Sequence, residues 1–309
     1  MKQYFFTVTP EHDRKRLDQF LVDVLVVESR SSLQKHILRG RVKLNEHVVT
    51  KGGTLVHTGD QVLLVIETRF DRPVDAKMSQ DFFEKNLVFE GKHFLVIDKP
   101  AGLLVHPTSE DSVELALTDM LRIVFPETKD VGEFSRPGIV HRLDKLTSGL
   151  LLIARTKHGY DELRKLFEGR GVKKTYLALV VGDPPDAETI SYNITRDPFH
   201  PTRMVCSEIV GSHAQTDLET IRRFDGYALI RAFPRTGRTH QIRLHCAQAG
   251  FPILGDSIYG NPLPGAQRFG LHAARLQFVF DGDEYQFESP IPDDFKKLAE
   301  LVIKQGLIY

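Results

Sequence analysis

Leu17, Phe20, Leu21, Val24 and Leu25 recur at the three-and-four spacing of one helix face, which predicts an amphipathic helix over residues 14–27. A second helix follows directly. Leu33 and Ile37 lie one turn apart, Ser31 or Ser32 is suited to its N-cap, and Gly40 suits the left-handed position that closes a helix. The pattern then shortens to VKLNEHVV, TLVHTGD and QVLLVI, which read as short strands, with a tight turn at Lys51-Gly52-Gly53. The charged stretch ETRFDRPVDAKMSQDFFEKN contains Pro73 and keeps no clean period, so a linker is expected over residues 68–84, between a small domain at 1–67 and a large one at 85–309. Beyond it, strands and helices mix. Two strands form a hairpin around Glu90-Gly91-Lys92 and run into a Lys99-Pro100-Ala101-Gly102 turn. Helices are predicted at 112–124, 157–168, 239–249 and 293–304, the last capped by Asp293 and stopped by Gly306. Strands do not alternate regularly with helices, which argues against a doubly wound parallel fold. No repeat of 20 to 50 residues is visible.

Composition changes this picture little. The 309 residues are 41% hydrophobic, enough for a substantial core, and no window approaches the about 20 apolar residues of a membrane span. The first residues, MKQYFFTVTPEHD, break their apolar run too early for a signal-peptide core, so the expected location is the cytoplasm. Cys206 and Cys246 form neither a disulfide framework nor a zinc set and are read as buried thiols. Lys plus Arg and Asp plus Glu are 41 each, so any nucleic-acid partner must be argued from local clusters. One cluster exists: Arg30, Lys35, Arg39, Arg41 and Lys43 fall around the second helix with no acid before Glu46. A solvated helix face is the alternative for these charges.

The chemistry centres on HRLDKLTSGLLLIA, residues 141–154. Leu150 to Ala154 read as a buried strand, Gly138-Ile139-Val140 leads in, and Asp144 stands in the polar turn between them. Arg142 and Lys145 favour its ionised form, as a nucleophilic carboxylate requires, although an aspartate in a turn commonly just accepts a backbone N–H. Other chemistries lack support. His240, His245 and His272 lack the spacing and carboxylates of a metal centre, and His141, Asp144 and Ser148 lie too close along the chain for a triad. Neither a Walker loop nor GxGxxG is present.

HRLDKLTSGLLL resembles the central motif of the RluA-type pseudouridine synthase family. VIDKPAGLLVHP before it, and VKKTYLALVVG, RTGRTHQIRLHCAQAGFPILGDSIYG and LHAARL after it, match in the same order. RLDQFLVD, SRSSLQKHILRGRVKLN and GDQVLLVI resemble the small RNA-binding domain named after ribosomal small-subunit protein four. These resemblances imply an α+β fold, with a mixed, mostly antiparallel sheet, flanking helices and a central catalytic cleft, behind an RNA-binding domain. They imply that the enzyme isomerises uridine in structured RNA, large-subunit ribosomal RNA foremost and transfer RNA as the alternative, with no cofactor and no metal. A monomer is expected. Asp144 becomes the catalytic carboxylate that breaks the glycosidic bond, by attack on the sugar or by removal of a sugar proton. Arg243 pairs with it through a bidentate guanidinium, and Tyr176 lines the uracil pocket. Arg142 supports the RNA vacated by the extracted base, Leu271 packs under that base, and the basic cluster grips phosphates. Gly149 and Gly237 are read as sites of tight backbone approach. GSHAQT carries Ser212 where the family often has lysine, which puts one peripheral RNA contact in doubt. Two rivals remain: a binding-only ribosome-assembly protein, disfavoured by a carboxylate in a phosphate-attracting groove, and a sister family that tends to read GRLD.

Overall fold

The computed structural model describes residues 2–25, 30–66, 73–107, 112, 114–133, 135–200 and 202–305. Near the N-terminus β1 (Lys2–Thr7), β2 (Val42–Leu44), β3 (His47–Val49) and β4 (Gln61–Ile66) form an antiparallel sheet in the order β1-β4-β2-β3. The pattern does not predict β1. Its aromatic run Tyr4-Phe5-Phe6 hides a period of two in which Phe5 faces solvent.

Helix α1 (Leu17–Val24) is shorter than expected at its start, because the backbone before it is used elsewhere. Arg16 bridges Leu55, and the amides of Leu17 and Asp18 bond the carbonyls of Thr54 and Gly52. That pairing is also what TLVHTGD does in place of forming a strand. The expected end of the helix at residues 26–27 lies outside the described residues. Helix α2 (Arg30–Leu38) already includes Ser31 and Ser32, so neither is its N-cap; Gly40 does adopt φ 69°. Phe20, Leu21, Leu33 and Ile37 are buried together against Val42 and Leu64, which seats both helices on the sheet.

Helix α3 (Ala76–Asn86) corrects the linker expectation. Asp75 caps it by accepting from the Met78 amide, and Phe83 packs edge-on to Phe125 in a core shared with the large sheet. Residues 67–72 lie outside the described residues. The large sheet contains β5 (Leu87–Glu90), β6 (Phe94–Lys99), β7 (Ser148–Ala154), β8 (Lys173–Val181), β9 (Ala187–Arg196), β10 (Met204–Ser207), β11 (Ser212–Phe224), β12 (Tyr227–Pro234), β13 (Leu271–Phe280) and β14 (Asp283–Glu288). Their order is β10-β9-β11-β12-β8-β13-β7-β6-β5, with β14 paired to β13. Among the described residues only β7 and β13 run parallel, matched at His272↔Ser148 and Ala273↔Gly149. This is the expected mixed, mostly antiparallel α+β architecture.

Strand β7 explains its own sequence. Leu151 and Ile153 pack under α3 and α4 (Leu117–Val124), while Leu150, Leu152 and Ala154 face α5 (Lys157–Glu168), so every position is buried and the run has no polar alternation. Helix α4 begins at Leu117, later than residue 112, because the Leu117 and Thr118 amides bond the carbonyls of Leu104 and Val105. Helices α6 (Gln241–Gln248) and α7 (Asp293–Gln305) fall close to expectation, with Asp293 inside the first turn; Gly306 lies outside the described residues. Cys246 is buried, whereas Cys206 is only half-buried. Gly149 sits at φ 111° with a Cβ position 2.2 Å from the Ala273 carbonyl oxygen, as its reading requires. Gly237 has nothing within 4 Å, so no close approach explains it.

Candidate active site

The segment between Val140 and β7 is held from both sides. His141 stacks on Phe167 at 4.5 Å, and its Nε2 accepts the Leu152 amide at 2.8 Å. Burial pushes the His141 pKa down to about 3, so the ring is a neutral acceptor. On the other side Lys99, fully buried, donates to the carbonyls of Pro100 at 2.8 Å, Leu103 at 3.0 Å and Lys145 at 3.1 Å. Burial, then the charge of Arg268, lowers its pKa to about 7. The Asp144 carbonyl closes the turn by accepting from the Thr147 amide at 3.0 Å. Asp144 is thereby fixed ahead of β7 with 17% of its side chain exposed.

Arg243 reaches it from α6. That helix is anchored by Gln241, which donates to the Gln215 carbonyl and Thr216 Oγ1 and accepts from Thr236 Oγ1 and the Arg238 amide. The buried Arg243 donates Nη1 to Asp144 Oδ2 at 3.0 Å. Its bidentate partner is a different residue: Nε and Nη2 donate to Asp256 Oδ2 and Oδ1 at 2.7 and 2.9 Å. The expected Asp144 fork is therefore corrected, because the Nε–Nη2 edge is spent on a wholly buried carboxylate and Nη1 alone remains for the cleft. Asp256 also accepts the Ile258 and Tyr259 amides. Burial opposes ionisation of Asp256, yet the Arg243 bonds outweigh it and hold the carboxyl below its usual range. The Arg243 guanidinium also lies over the Phe269 ring at 4.4 Å and the Tyr259 ring at 5.1 Å. His240, at φ 57° before α6, hydrogen-bonds Tyr259 through Nδ1 at 2.8 Å and brings Nε2 to 3.9 Å from Asp144.

These groups open into a cleft of about 590 Å³ lined also by Tyr176, Leu271 and Arg142. Burial, aided by the Asp144 charge, raises the Tyr176 pKa and keeps the phenol protonated. Leu271 is buried at the cleft wall, and the exposed Arg142 faces His106 with Nη1 3.5 Å from Nε2. Seven Arg or Lys side chains line the cleft against Asp144 and Glu168, which favours a polyanion. The structure thus brings Asp144, Arg243, Tyr176, Arg142 and Leu271 into one site. Residue spacing singles out neither Asp256, Tyr259 nor Lys174, and offers His240 only as a rejected metal ligand, although GDSIYG, THQIR and VKKTYLALVVG carry all four inside matching stretches.

The basic cluster on and after α2 contributes nothing to this cleft lining. Lys35, Arg39 and Lys43 are exposed and Arg41 is half-buried. Arg30 is tied to the fully buried Asp18, which also accepts from Arg16 and Gln34; the Arg16 bond foremost holds that carboxyl far below its usual range. Among the described residues, one group could hold a metal ion, His93, His158 and Asp281, none of them in the cleft; His158 and Asp281 already bond each other at 2.8 Å. His272 is spent on Ser148 Oγ at 2.9 Å.

A carboxylate held by a buried guanidinium at the floor of a cationic cleft, set in a sheet of this topology, defines an enzyme that works on an anionic substrate. The sequence matches the RNA pseudouridylate synthase family over residues 93–248 and the S4 domain over residues 15–62. It is 34% identical over 304 residues to the ribosomal large subunit pseudouridine synthase D of Pseudomonas aeruginosa, covering 93% of this chain and 92% of that one. It is 33% identical over 319 residues to the protein of the same name from Neisseria meningitidis, covering 97% and 82%. Human RNA pseudouridylate synthase domain containing 4 superposes with a TM-score of 0.58 at 25% identity, over 74% of this chain and 96% of that one. The chain belongs to the RluA-type RNA pseudouridine synthase family and is an isomerase that converts uridine to pseudouridine in RNA.

Proposed function

We propose that this synthase modifies large-subunit ribosomal RNA, with Asp144 as the carboxylate that opens the glycosidic bond. The Asp144–Arg243 contact of 3.0 Å inside the cleft carries this reading, because it holds a partly exposed carboxylate in place and aimed where a flipped nucleotide would enter. Arg243 orients Asp144 and supplies its counter-charge, Tyr176 lies against the uracil and takes part in loss of the carbon-five proton, Leu271 supports the base, and Arg142 braces the RNA it leaves. The protein divides into an RNA-binding domain, a joint after residue 67, and a catalytic domain that includes α3. Arg30, Lys35, Arg39, Arg41 and Lys43 grip phosphates. The names of the relatives favour large-subunit ribosomal RNA over transfer RNA. A cytoplasmic monomer fits this work, and among the described residues no helix is long and apolar enough to cross a membrane.

Tritium release from RNA labelled at uridine carbon five tests the assignment. Asp144→Asn abolishes release while keeping RNA binding; equal release by both proteins removes Asp144 from the mechanism.

A further inference from the structure

Lys174 lies on β8 two residues before Tyr176, so both side chains fall on the same face of the strand and both line the cleft. Its surroundings are unusual for an ammonium. The side chain is largely buried, and among the described residues no carboxylate pairs with it; its hydrogen bond is a long one, Nζ to the Thr236 carbonyl at 3.3 Å. A structural lysine in this protein looks different, since Lys99 donates all three N–H bonds to carbonyls. An under-bonded cation buried without a counter-charge is costly, and such a cost persists where a ligand supplies the missing anion.

Position decides which anion. Arg142, Arg170, Arg235 and Arg238 line the same cleft and are exposed, which suits them to backbone phosphates that stay near solvent. Lys174 sits inside this rim beside Tyr176, where the base rather than the backbone would lie.

We propose that Lys174 binds the uracil anion released when the glycosidic bond breaks. Breaking the C1′–N1 bond sends its electron pair to the base, where the charge spreads over N1 and the two carbonyl oxygens. The sugar either bonds to the Asp144 carboxylate or gives it a C2′ proton. In both cases Asp144 becomes neutral and one negative charge appears on uracil, so the charge passes from the Arg243 side of the cleft to the Lys174 side. When carbon five rejoins C1′ the charge returns to Asp144. The ammonium therefore favours the cleaved state over the bound uridine, which is the differential that accelerates a reaction. The proposal rests on the reading of this cleft as the uridine site.

The test compares Lys174→Met and Lys174→Arg with wild type at saturating ribosomal RNA fragment, under single turnover, beside direct measurement of RNA affinity. The expected result for Lys174→Met is a fall of about 10²-fold in the rate constant, the scale for losing one preorganised charge-stabilising donor, with RNA Kd moved less than about threefold. Lys174→Arg recovers most of that rate. RNA carrying 5-fluorouridine, whose base leaves more easily, narrows the gap between wild type and either variant when consumption of the 5-fluorouridine nucleotide is followed, since its carbon five has no proton to lose. Loss of affinity with an unchanged rate constant would make Lys174 a phosphate contact and overturn the proposal, as would a deficit of equal size on both substrates. Full activity of Asp144→Asn refutes the cleft assignment and this proposal with it, whereas an inactive Asp144→Asn beside a fully active Lys174→Met refutes the Lys174 role alone.

Discussion

Replacing Asp256 with asparagine probes how Arg243 is aimed without touching the cleft. Asp256 is fully buried and uses both oxygens: Oδ2 takes Arg243 Nε at 2.7 Å, and Oδ1 takes Arg243 Nη2 with the amides of Ile258 and Tyr259. An asparagine can keep only one of these faces. With its oxygen toward the amides, its NH₂ meets Arg243 Nε donor to donor at 2.7 Å; flipped, it meets the backbone N–H groups instead. The change also leaves Asp144 as the guanidinium's main counter-charge. Breaking one side of a buried ion pair costs about 3–5 kcal/mol, and part of this is relieved if Arg243 swings toward Asp144. Urea unfolding of Asp256→Asn should show that loss. The same swing misplaces the carboxylate, and a shift of order 1 Å costs up to about 10²-fold in rate, so single-turnover pseudouridine formation should fall about 10- to 100-fold with RNA affinity kept. Wild-type stability together with a wild-type rate would refute the idea that Asp256 sets the Arg243 geometry.

Two further outcomes follow from the packing. Gly149→Ala places a methyl 2.2 Å from the Ala273 carbonyl at φ 111°, so overpacking and left-handed strain together should cost about 3 kcal/mol or more, read as a lowered urea midpoint; an unchanged midpoint would mean that the β7–β13 contact is loose. His141 is held neutral in the fold, with its pKa lowered from 6.5 to about 3, so below pH 6.5 the unfolded chain binds a proton that the folded chain refuses. Stability is full above pH 6.5 and falls as pH drops, by up to about 1.4 kcal/mol per pH unit, and the difference between wild type and His141→Gln in unfolding experiments from pH 7 to 5 isolates that slope.

Legibility in the sequence followed the range of each interaction. Helix α5 was readable to the residue because its apolar face, its Thr156 cap and its terminal Gly169 are all local. Helices α1 and α4 were predicted to start too early, because amides near their first turns bond the carbonyls of distant segments and residue spacing carries no trace of that. Strand β1 was hidden by an exposed Phe5, and α3 by a charged lead-in.

The same divide runs through the site. By itself the sequence determined which chemical groups exist and which family they belong to: an aspartate in a turn before a buried strand, with a tyrosine and an arginine supplied from elsewhere. Only the tertiary structure decided the pairing. A guanidinium has two edges and a fixed fork, and whether Asp144 receives the bidentate face or a single N–H depends on what else is buried within reach. Asp256 took that face, leaving Asp144 one bond and one side open to the cleft, while Lys174 became exceptional only once the fold had buried it without an anion.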